Sequence, residues 1–331
     1  MPIDERITRR RAITILASAV AGAIATGSRA DRLAIEHEWR GLAMGTDARI
    51  LFSGLDAGQA RAVAAAVAAE IERLEGALSL FRADSEICRL NRERVLVSPT
   101  GDLRRALALA LAVAETTGGL FDPTVQALWE THVDWFAAAP GAGLPPEAVI
   151  ATARRAVDWR KIALAGAIRL GRGQRITLNG LGQGYVTDRI ADLLRQRGFE
   201  HVLVDLGEQR ALGPRSNGTP WPITRRSGGP LALSSGALAT SEGAGCVIGA
   251  GGAAHHLFDP RTGRSAQHWQ RVTVYHRSAA VADALSTALF AAGPHEIAGL
   301  LARFAGMVVW ASDREGRGHR WAASAVTGVA G

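Results

Sequence analysis

An aspartate and a threonine stand four residues apart in an apolar, alanine-rich stretch towards the C-terminal end of the chain. Within this stretch, residues 279–293, apolar residues recur at helical spacing, and a Gly-Pro pair ends the pattern. Asp283 and Thr287 therefore lie one above the other on one face of a predicted helix. A carboxylate and a hydroxyl near the positive end of a helix form a partial ligand set for a small, hard cation that also binds phosphate. The same pair is also common near helix starts, where it needs no metal.

A glycine-rich segment, residues 179–185 (NGLGQGY), leads into a second predicted helix that runs to Gly198. Glycines at the start of a helix let a pyrophosphate or a metal ion approach the backbone closely. The segment lacks the GxGxxG spacing of a dinucleotide fold and the lysine of a P-loop. A tight turn between a strand and a helix explains it equally well.

Two further segments carry groups able to take part in catalysis or binding. His255 and His256 precede a turn at residues 259–263, and either ring is suited to a general base. Asp122 lies in a loop after another predicted helix. Each feature also has a purely structural explanation, as a satisfied histidine pair, a turn or a loop carboxylate. The chain has no GxSxG, HExxH or CxxC motif and no glycosidase-type pair of carboxylates.

The elements that position these groups mix helices and strands without a regular βαβ repeat. The pattern predicts helices at residues 57–78, 100–117 and 279–293, and a further helix that follows residues 179–185 and runs to Gly198. Strands are predicted in residues 35–52 around a bend, and at residues 168–178, 201–207, 231–244, 246–257, 271–276 and 307–311, with 231–244 and 246–257 paired to each other. This order predicts an α+β fold with mixed, largely antiparallel sheets and packed helices.

The composition is that of a folded protein with no sign of nucleic-acid binding. Of 331 residues, 47% are hydrophobic and 21% are charged, which allows a full core and argues against disorder. The net charge is +7, and the first thirty residues, with five arginines and two acidic residues, carry +3 of it. The other arginines are scattered, without a basic run rich in aromatic residues, so nucleic acid is not an expected partner.

The first thirty residues have the pattern of an export signal. Residues 8–13 (TRRRAI) carry three consecutive arginines ahead of a short run of apolar and small residues. The run is too short to span a membrane, and the arginines favour the twin-arginine route, which carries folded proteins. We therefore expect a signal peptide at residues 1–30, one domain at residues 31–331, and a periplasmic protein. The alternatives are an uncleaved anchor and a chance basic start.

Eight segments of the chain form an ordered set. They are LAMGT (42–46), DSEICRLN (84–91), TGGLFDPT (117–124), GLGQGYVTDRIADLLRQRG (180–198), VLVDLGE (202–208), GALATSE (236–242), HLFDPRTG (256–263) and ADALSTALFAAG (282–293). Together they resemble the ApbE family, whose members are FAD:protein FMN transferases. No single segment is diagnostic, whereas the ordered set is specific and covers essentially the whole chain after residue 39. The resemblance implies an α+β fold with a flavin site between two lobes, in agreement with the predicted elements.

The resemblance also implies a magnesium site and a flavin site. The positions that match the family's Mg²⁺ ligands are Asp283, Thr287 and the backbone carbonyl of Gly180. His256 matches the family histidine ahead of the Asp-Pro turn and is the candidate base, with Asp283 as the second candidate catalytic residue. The positions that match flavin contacts, or that lie in the glycine loop and the residues before it, are Met44, Phe81, Leu120, Phe121, Asp122, Thr177, Gln183 and Phe258.

Three of these positions depart from the family pattern. Phe81 stands where a tyrosine is usual, Thr177 replaces an aspartate, and Gln183 replaces a common lysine or glutamate. We expect these differences to alter flavin affinity or recognition of the adenine side, because each removes a charged or hydrogen-bonding group. The metal pair is intact.

The implied activity is Mg²⁺-dependent transfer of the FMN moiety of FAD to a threonine hydroxyl of an acceptor protein, with release of AMP. The implied acceptor is an electron-transfer flavoprotein at the periplasmic face of the membrane. Asn179, Gln183 and residues 202–208 resemble the branch of the family associated with nitrous-oxide respiration. Two alternatives stay open: an FAD pyrophosphatase that yields free FMN and AMP, and a non-catalytic periplasmic flavin-binding or assembly factor.

Overall fold

The computed structural model describes residues 37–54, 57–139, 141, 143–225, 229–249, 254–323 and 326–330. The predicted signal peptide, residues 1–30, lies outside the described residues. The described α-helices are α1 Ala57–Leu78, α2 Glu86–Glu93, α3 Gly101–Thr116, α4 Gln126–Ala138, α5 Glu147–Arg154, α6 Gly182–Gln196, α7 Ala279–Phe290 and α8 Pro294–Leu301. None of these helices has the length and apolarity that crossing a membrane requires.

The strands are short and numerous. They are β1 His37–Ala43, β2 Thr46–Phe52, β3 Val95–Leu96, β4 Ile168–Arg169, β5 Val202–Asp205, β6 Gln209–Ala211, β7 Trp221–Ile223, β8 Leu231–Leu233, β9 Gly236–Glu242, β10 Val247–Ile248, β11 Ala254–His255, β12 Phe258–Asp259, β13 Arg264–Ser265, β14 Trp269–His276, β15 Val308–Asp313, β16 Gly318–Ala322 and β17 Val329–Ala330. In the described ranges, three 3₁₀ helices lie at Pro123–Val125, Trp159–Lys161 and Gly243–Gly245.

One eight-stranded sheet organises the molecule, with strand order β1-β2-β5-β6-β9-β14-β15-β16. Every neighbouring pair in it is antiparallel. A three-stranded sheet, β17-β8-β7, and three two-stranded pairs accompany it. The predicted α+β fold with largely antiparallel sheets is confirmed.

The two faces of the large sheet bury different apolar clusters. Val204 and Val274 belong to the larger cluster, which also contains buried residues of α1, α3, α6 and α7. Leu203 and Tyr275, their chain neighbours, belong to a second cluster with β7 and β8. Successive side chains of a strand point to opposite faces, so β5 and β14 serve both clusters. Helices α6 and α7 therefore lie on one face of the sheet, where the predicted metal residues are.

The predicted elements agree with the structure except in the β-rich middle of the chain. Helix α1 spans residues 57–78 as predicted, whereas residues 168–178 form only the short strand β4. The predicted pairing of residues 231–244 with 246–257 is wrong. Gly236, the first residue of β9, has φ 79° where the chain passes from β8 to β9. These two strands join different sheets, and β10 pairs with β11. A glycine in the left-handed region redirects the chain where a continuous apolar pattern suggests one strand.

Candidate functional site

Helices α6 and α7 meet closely at Gly184, in the first turn of α6. A β-carbon on Gly184 would lie 2.3 Å from the carbonyl oxygen of Ala279, so no larger residue fits there without a shift. At this contact the Gly184 amide donates a hydrogen bond of 3.0 Å to Asp283 Oδ2. The amides at a helix start are unpaired within the helix, and here one of them binds the predicted metal ligand.

Thr287 lies one turn farther along α7 and faces the loop before α6. A β-carbon on Gly180 would lie 2.8 Å from Thr287 Oγ1. Ser241 of β9 places its hydroxyl 3.4 Å from Thr287 Oγ1 and 2.8 Å from the hydroxyl of Ser286. The three residues predicted as metal ligands are thus brought together where α6, α7 and β9 meet.

The orientation of α7 depends on a residue of α6 that was not predicted as functional. Asp188 accepts hydrogen bonds from the Ser278 hydroxyl at 2.6 Å and from the Ala279 amide at 2.8 Å, and it also pairs with Arg210. A carboxylate is favourable at a helix N-terminus. Asp188 lies one turn after Gly184 and so faces α7 as Gly184 does. This four-residue spacing is the sequence signal that could have pointed to Asp188.

Two buried carboxylates lie at this junction, Asp283 and Glu208, whose side chains belong to residues only 4% and 6% exposed. Burial, opposed by the hydrogen bond from Gly184 and reinforced by the charge of Asp188, raises the pKa of Asp283 to about 7. Burial and the charge of Asp283 raise the pKa of Glu208 well above its usual value, and Glu208 Oε2 accepts the Thr240 amide at 3.1 Å. Glu208 was not predicted as a site residue, because a single glutamate after a strand has no distinguishing pattern.

These carboxylates are suited to a cation. Among the described residues no arginine, lysine or histidine forms an ion pair with Asp283 or Glu208. A buried charge without a partner is costly, and a carboxylate, a hydroxyl and a backbone carbonyl are oxygen ligands of the kind Mg²⁺ prefers. The described ranges contain no group of three or more His, Cys, Asp or Glu able to hold a metal. The predicted metal ligands do not form such a group, because only one of them, Asp283, is a His, Cys, Asp or Glu residue.

The bend between β1 and β2 packs against the start of α6. Met44 and Gly45 have φ angles of 50° and 83°. Met44 Cε lies 3.3 Å from the place of a β-carbon on Gly182, and the side-chain amide of Gln183 donates to Thr46 Oγ1 at 3.2 Å. Met44 and Gln183, two predicted flavin-site residues, therefore both lie where the β1–β2 bend contacts the start of α6.

Phe81 is the most exposed aromatic side chain that is predicted to contact flavin. The residue is 71% exposed, and two of its ring carbons lie 3.5 Å from the place of a β-carbon on Gly45. An aromatic face open to solvent beside a backbone bend offers an apolar surface to a planar ring. The exposed position is compatible with the predicted role of Phe81.

The predicted loop residues Leu120, Phe121 and Asp122 are buried. Asp122 Oδ1 accepts hydrogen bonds from the amide and the hydroxyl of Thr124, at 2.8 and 2.5 Å, and Oδ2 accepts the Trp159 amide at 3.1 Å. Burial raises the pKa of Asp122 against these bonds. Both carboxylate oxygens of Asp122 thus hold the loop together, as expected of a structural loop carboxylate.

Thr177 connects this loop to the glycine segment. Its amide donates to the carbonyl of Pro123 at 2.8 Å, and its hydroxyl accepts the amide of Asn179 at 3.1 Å. The loop that follows α3 is therefore joined through Thr177 to the residues that lead to Gly180.

The two adjacent histidines differ in what their rings can do. His255 is fully engaged, with Nε2 2.9 Å from the carbonyl of Ala266 and Nδ1 3.3 Å from the amide of Leu257. His256 Nδ1 lies 3.1 Å from the carbonyl of Cys246, and burial lowers the pKa of His256, so the neutral ring donates from Nδ1. That tautomer leaves the lone pair on Nε2, as a general base requires.

Phe258 and His256 lie in the segment of short strands that follows β9 along the chain. Phe258 is buried, with its ring centroid 4.7 Å from that of His132. Gly243, two residues after Ser241, lies beside His255. A β-carbon on Gly243 would lie 3.2 Å from Cδ2 of the His255 ring. The segment from Ser241 to Gly243 thus connects the predicted metal ligands to the histidine pair.

Comparison with known proteins decides the family. The model of the ApbE family matches residues 44–310. The chain belongs to the ApbE family. Curated relatives named FAD:protein FMN transferase include that of Treponema pallidum, 26% identical over 302 residues that cover 80% of this chain and 81% of the relative. That of Salmonella typhimurium is also 26% identical over 302 residues and covers 85% of each chain.

Solved ApbE structures share the fold. The ApbE protein of Thermotoga maritima superposes with a TM-score of 0.75 at 26% identity, covering 86% of this chain and 96% of its own. The flavin transferase ApbE of Vibrio cholerae has a TM-score of 0.73 at 22% identity, covering 87% and 96%, and shows likeness of fold alone. The predictions of an ApbE member and of a transferase enzyme are confirmed. The branch associated with nitrous-oxide respiration stays a prediction.

Proposed function

We propose that this ApbE protein transfers the FMN moiety of FAD to a threonine hydroxyl of an acceptor protein and releases AMP. The observation that carries the proposal is the junction at which Asp283 and Thr287 meet the glycine-rich start of α6. Beside it lies the β1–β2 bend with the exposed ring of Phe81. The arrangement combines a place for a cation and phosphates with a surface for a flat ring. The names of the curated relatives support the same activity.

Mg²⁺ is the proposed cofactor, and Asp283, Thr287 and the Gly180 carbonyl would hold it. A divalent cation bound there would neutralise charge on the pyrophosphate and make its phosphorus more electrophilic. The residues of the chain position the reactants around it: the glycines of α6 allow close approach of the phosphates, and Met44 and Phe81 orient the flavin.

His256 is the proposed base for the acceptor hydroxyl. Its Nε2 takes the proton of the threonine hydroxyl while the threonine oxygen forms a bond to the phosphorus of the FMN moiety. The bond from this phosphorus to the bridging oxygen of the pyrophosphate breaks, and AMP leaves with that oxygen. FMN remains on the acceptor as a phosphoester, and no water is consumed.

The location and the acceptor are narrower proposals. We propose that residues 1–30 direct export by the twin-arginine route and that the acceptor is a flavoprotein at the periplasmic face of the membrane. An acceptor of nitrous-oxide respiration is the narrowest form, supported by the resemblance of residues 202–208 and the glycine segment to that branch. Detection of the mature protein in the periplasmic fraction, cleaved near residue 30, tests the first part.

One assay tests the activity. The protein is incubated with FAD, Mg²⁺ and membranes of the source organism, and labelled protein is detected by in-gel flavin fluorescence alongside AMP release. A fluorescent acceptor band and AMP are expected. Free FMN and AMP without a labelled protein would identify a pyrophosphatase, and FAD binding that is indifferent to Mg²⁺ and yields no AMP would identify a binding factor. The variant His256→Ala is expected to transfer slowly with FAD still bound, and loss of FAD binding would instead make His256 a contact residue.

A further inference from the structure

Met44 has an unusual backbone conformation for a residue with a side chain. Among the described residues only Met44 and Arg94 are non-glycine residues with positive φ, at 50° and 60°. Arg94 is the C-cap of α2, where the left-handed conformation is common. Met44 has no such helix behind it, so its surroundings must hold it in this sparsely populated region.

Glu75 of α1 provides the interaction that holds it. The residue is 2% exposed, and its Oε1 accepts the amide of Met44 at 2.8 Å across 31 residues of sequence. A buried carboxylate is costly unless it accepts strong hydrogen bonds, and an amide donating to a carboxylate is among the stronger ones. The chain thus buries a charged group at the point where its bend is strained.

Three contacts depend on the conformation of this bend. Met44 Cε packs on Gly182, Gly45 supports the ring of Phe81, and Thr46 receives the amide of Gln183. Rotation at Met44 would move all three, because they belong to consecutive residues of one tight turn.

We propose that Glu75 is a positioning residue for flavin binding, which acts by holding the Met44 amide and with it the surface formed by Met44 and Phe81. This inference rests on the proposed function. Glu75 acts on the bend, while the metal pair is held by Gly184 and Ser241 and the candidate base by Cys246. Loss of the carboxylate therefore affects binding of FAD and not the transfer step.

Steady-state kinetics separate this role from a general structural one. We expect Glu75→Ala to raise the KM for FAD about tenfold or more, with kcat within about twofold of the unsubstituted protein, since a strong hydrogen bond is lost. Glu75→Gln keeps a carbonyl acceptor and is expected to recover most of the affinity. Glu72→Ala, the same change as Glu75→Ala one turn away at an exposed position, is the matched control and should leave both constants unchanged.

A second measurement needs no FAD. The chain has three methionines, of which Met1 lies in the predicted signal, so ¹⁵N-methionine labelling of residues 31–331 gives two amide signals, Met44 and Met307. We expect Glu75→Ala to shift the Met44 signal and to speed its hydrogen exchange while Met307 stays unchanged. If the unsubstituted protein neither binds nor transfers FAD, the proposed function fails, whereas this spectrum still shows whether Glu75 holds the bend.

A glycine at the bend provides the decisive variant. Glycine adopts positive φ without strain, so a bend with Met44→Gly does not need Glu75 to hold it. Glu75→Ala should therefore weaken the binding of FAD less in the Met44→Gly variant than in the protein with Met44. We expect the fold-change in the dissociation constant for FAD to be at least about threefold smaller. A reduced kcat with unchanged KM in Glu75→Ala, an unmoved Met44 signal, or fully additive effects of the two substitutions would each overturn the proposal.

Discussion

Two buried aspartates accept hydrogen bonds from adjacent residues of α6, and their surroundings give them opposite properties. Asp283 on α7 accepts the amide of Gly184 at 3.0 Å. Asp102 on α3 accepts the hydroxyl of Tyr185 at 2.7 Å. Neighbouring residues of α6 thus donate to the two carboxylates, Gly184 towards α7 and Tyr185 towards α3.

The difference lies in the charges that the chain supplies. Arg73 and Arg105 lie 2.6 and 2.7 Å from the oxygens of Asp102. Burial by itself raises the pKa of Asp102, but the hydrogen bonds from Tyr185, Arg105 and Arg73 together lower it to about 2. Asp283 has no such partner among the described residues, and its pKa is raised to about 7.

The two buried carboxylates differ in whether the chain itself supplies the balancing charge. The chain balances the charge of Asp102 itself, so that Asp102 joins α1, α3 and α6 through Arg73 and Tyr185. No described residue balances the charge of Asp283 in this way, as the proposed cation site requires. We therefore expect substitution of the two residues to have effects of different kinds.

The largest effect is expected for Asp283→Asn. Transfer of FMN should fall on the order of 10³-fold or more, because a buried electrostatic group is removed from the reacting phosphates. Mg²⁺ should raise the Tm of the unsubstituted protein and not that of this variant, since only a bound ligand stabilises the folded state. Near-normal transfer, measured by in-gel flavin fluorescence, would refute the metal assignment.

Asp102→Ala should reduce stability without changing the chemistry. Because Arg73 and Arg105 are 46% and 59% exposed, we expect the free energy of unfolding to fall by about 2 kcal/mol, less than for a fully buried pair. Urea denaturation measures this, and the Mg²⁺-dependent rise in Tm should persist. Loss of that rise would mean that Asp102 also serves the cation and would remove the distinction between the two sites.

The acid limb of stability should depend on Asp102. The pKa of Asp102 is about 2 in the folded protein, below the ordinary value of 3.8 that it has in the unfolded chain. Its contribution to the free energy of unfolding is therefore present above about pH 4 and is lost as the pH falls towards 2. Denaturation midpoints between pH 5 and pH 2 should therefore decline less steeply for Asp102→Asn than for the unsubstituted protein. Parallel curves would show that the arginines do not depress this pKa.

The smallest effect is expected for Tyr185→Phe, which removes one hydrogen bond and leaves both arginines. The free energy of unfolding should fall by about 1 kcal/mol, with transfer unchanged although Gly184 is adjacent. Tyr275, the other tyrosine of the chain, donates to the carbonyl of Thr327, and Tyr275→Phe is the matched control. Only Tyr185→Phe should also alter the acid limb, and an equal change in both variants would contradict the link to Asp102.

Local patterns predicted much of this molecule. The periodicity of residues 57–78 and 279–293 predicted α1 and α7 closely, and the four-residue spacing placed Asp283 and Thr287 on one face. The ordered motifs indicated the family. Patterns did not predict that residues 231–233 and 236–242 join different sheets, because the partner of a short strand depends on distant segments.

The sequence by itself determined the helix faces, the glycines of α6 and the family, because these depend on residues close together in the chain. Only the tertiary structure decided which carboxylates are balanced by arginines, since Arg73 and Tyr185 reach Asp102 from other helices. It likewise placed Glu208 near Asp283, Asp188 at the start of α7 and Glu75 under Met44. The charge and burial of a side chain are set by neighbours that the fold brings from far along the chain, and no local spacing encodes them.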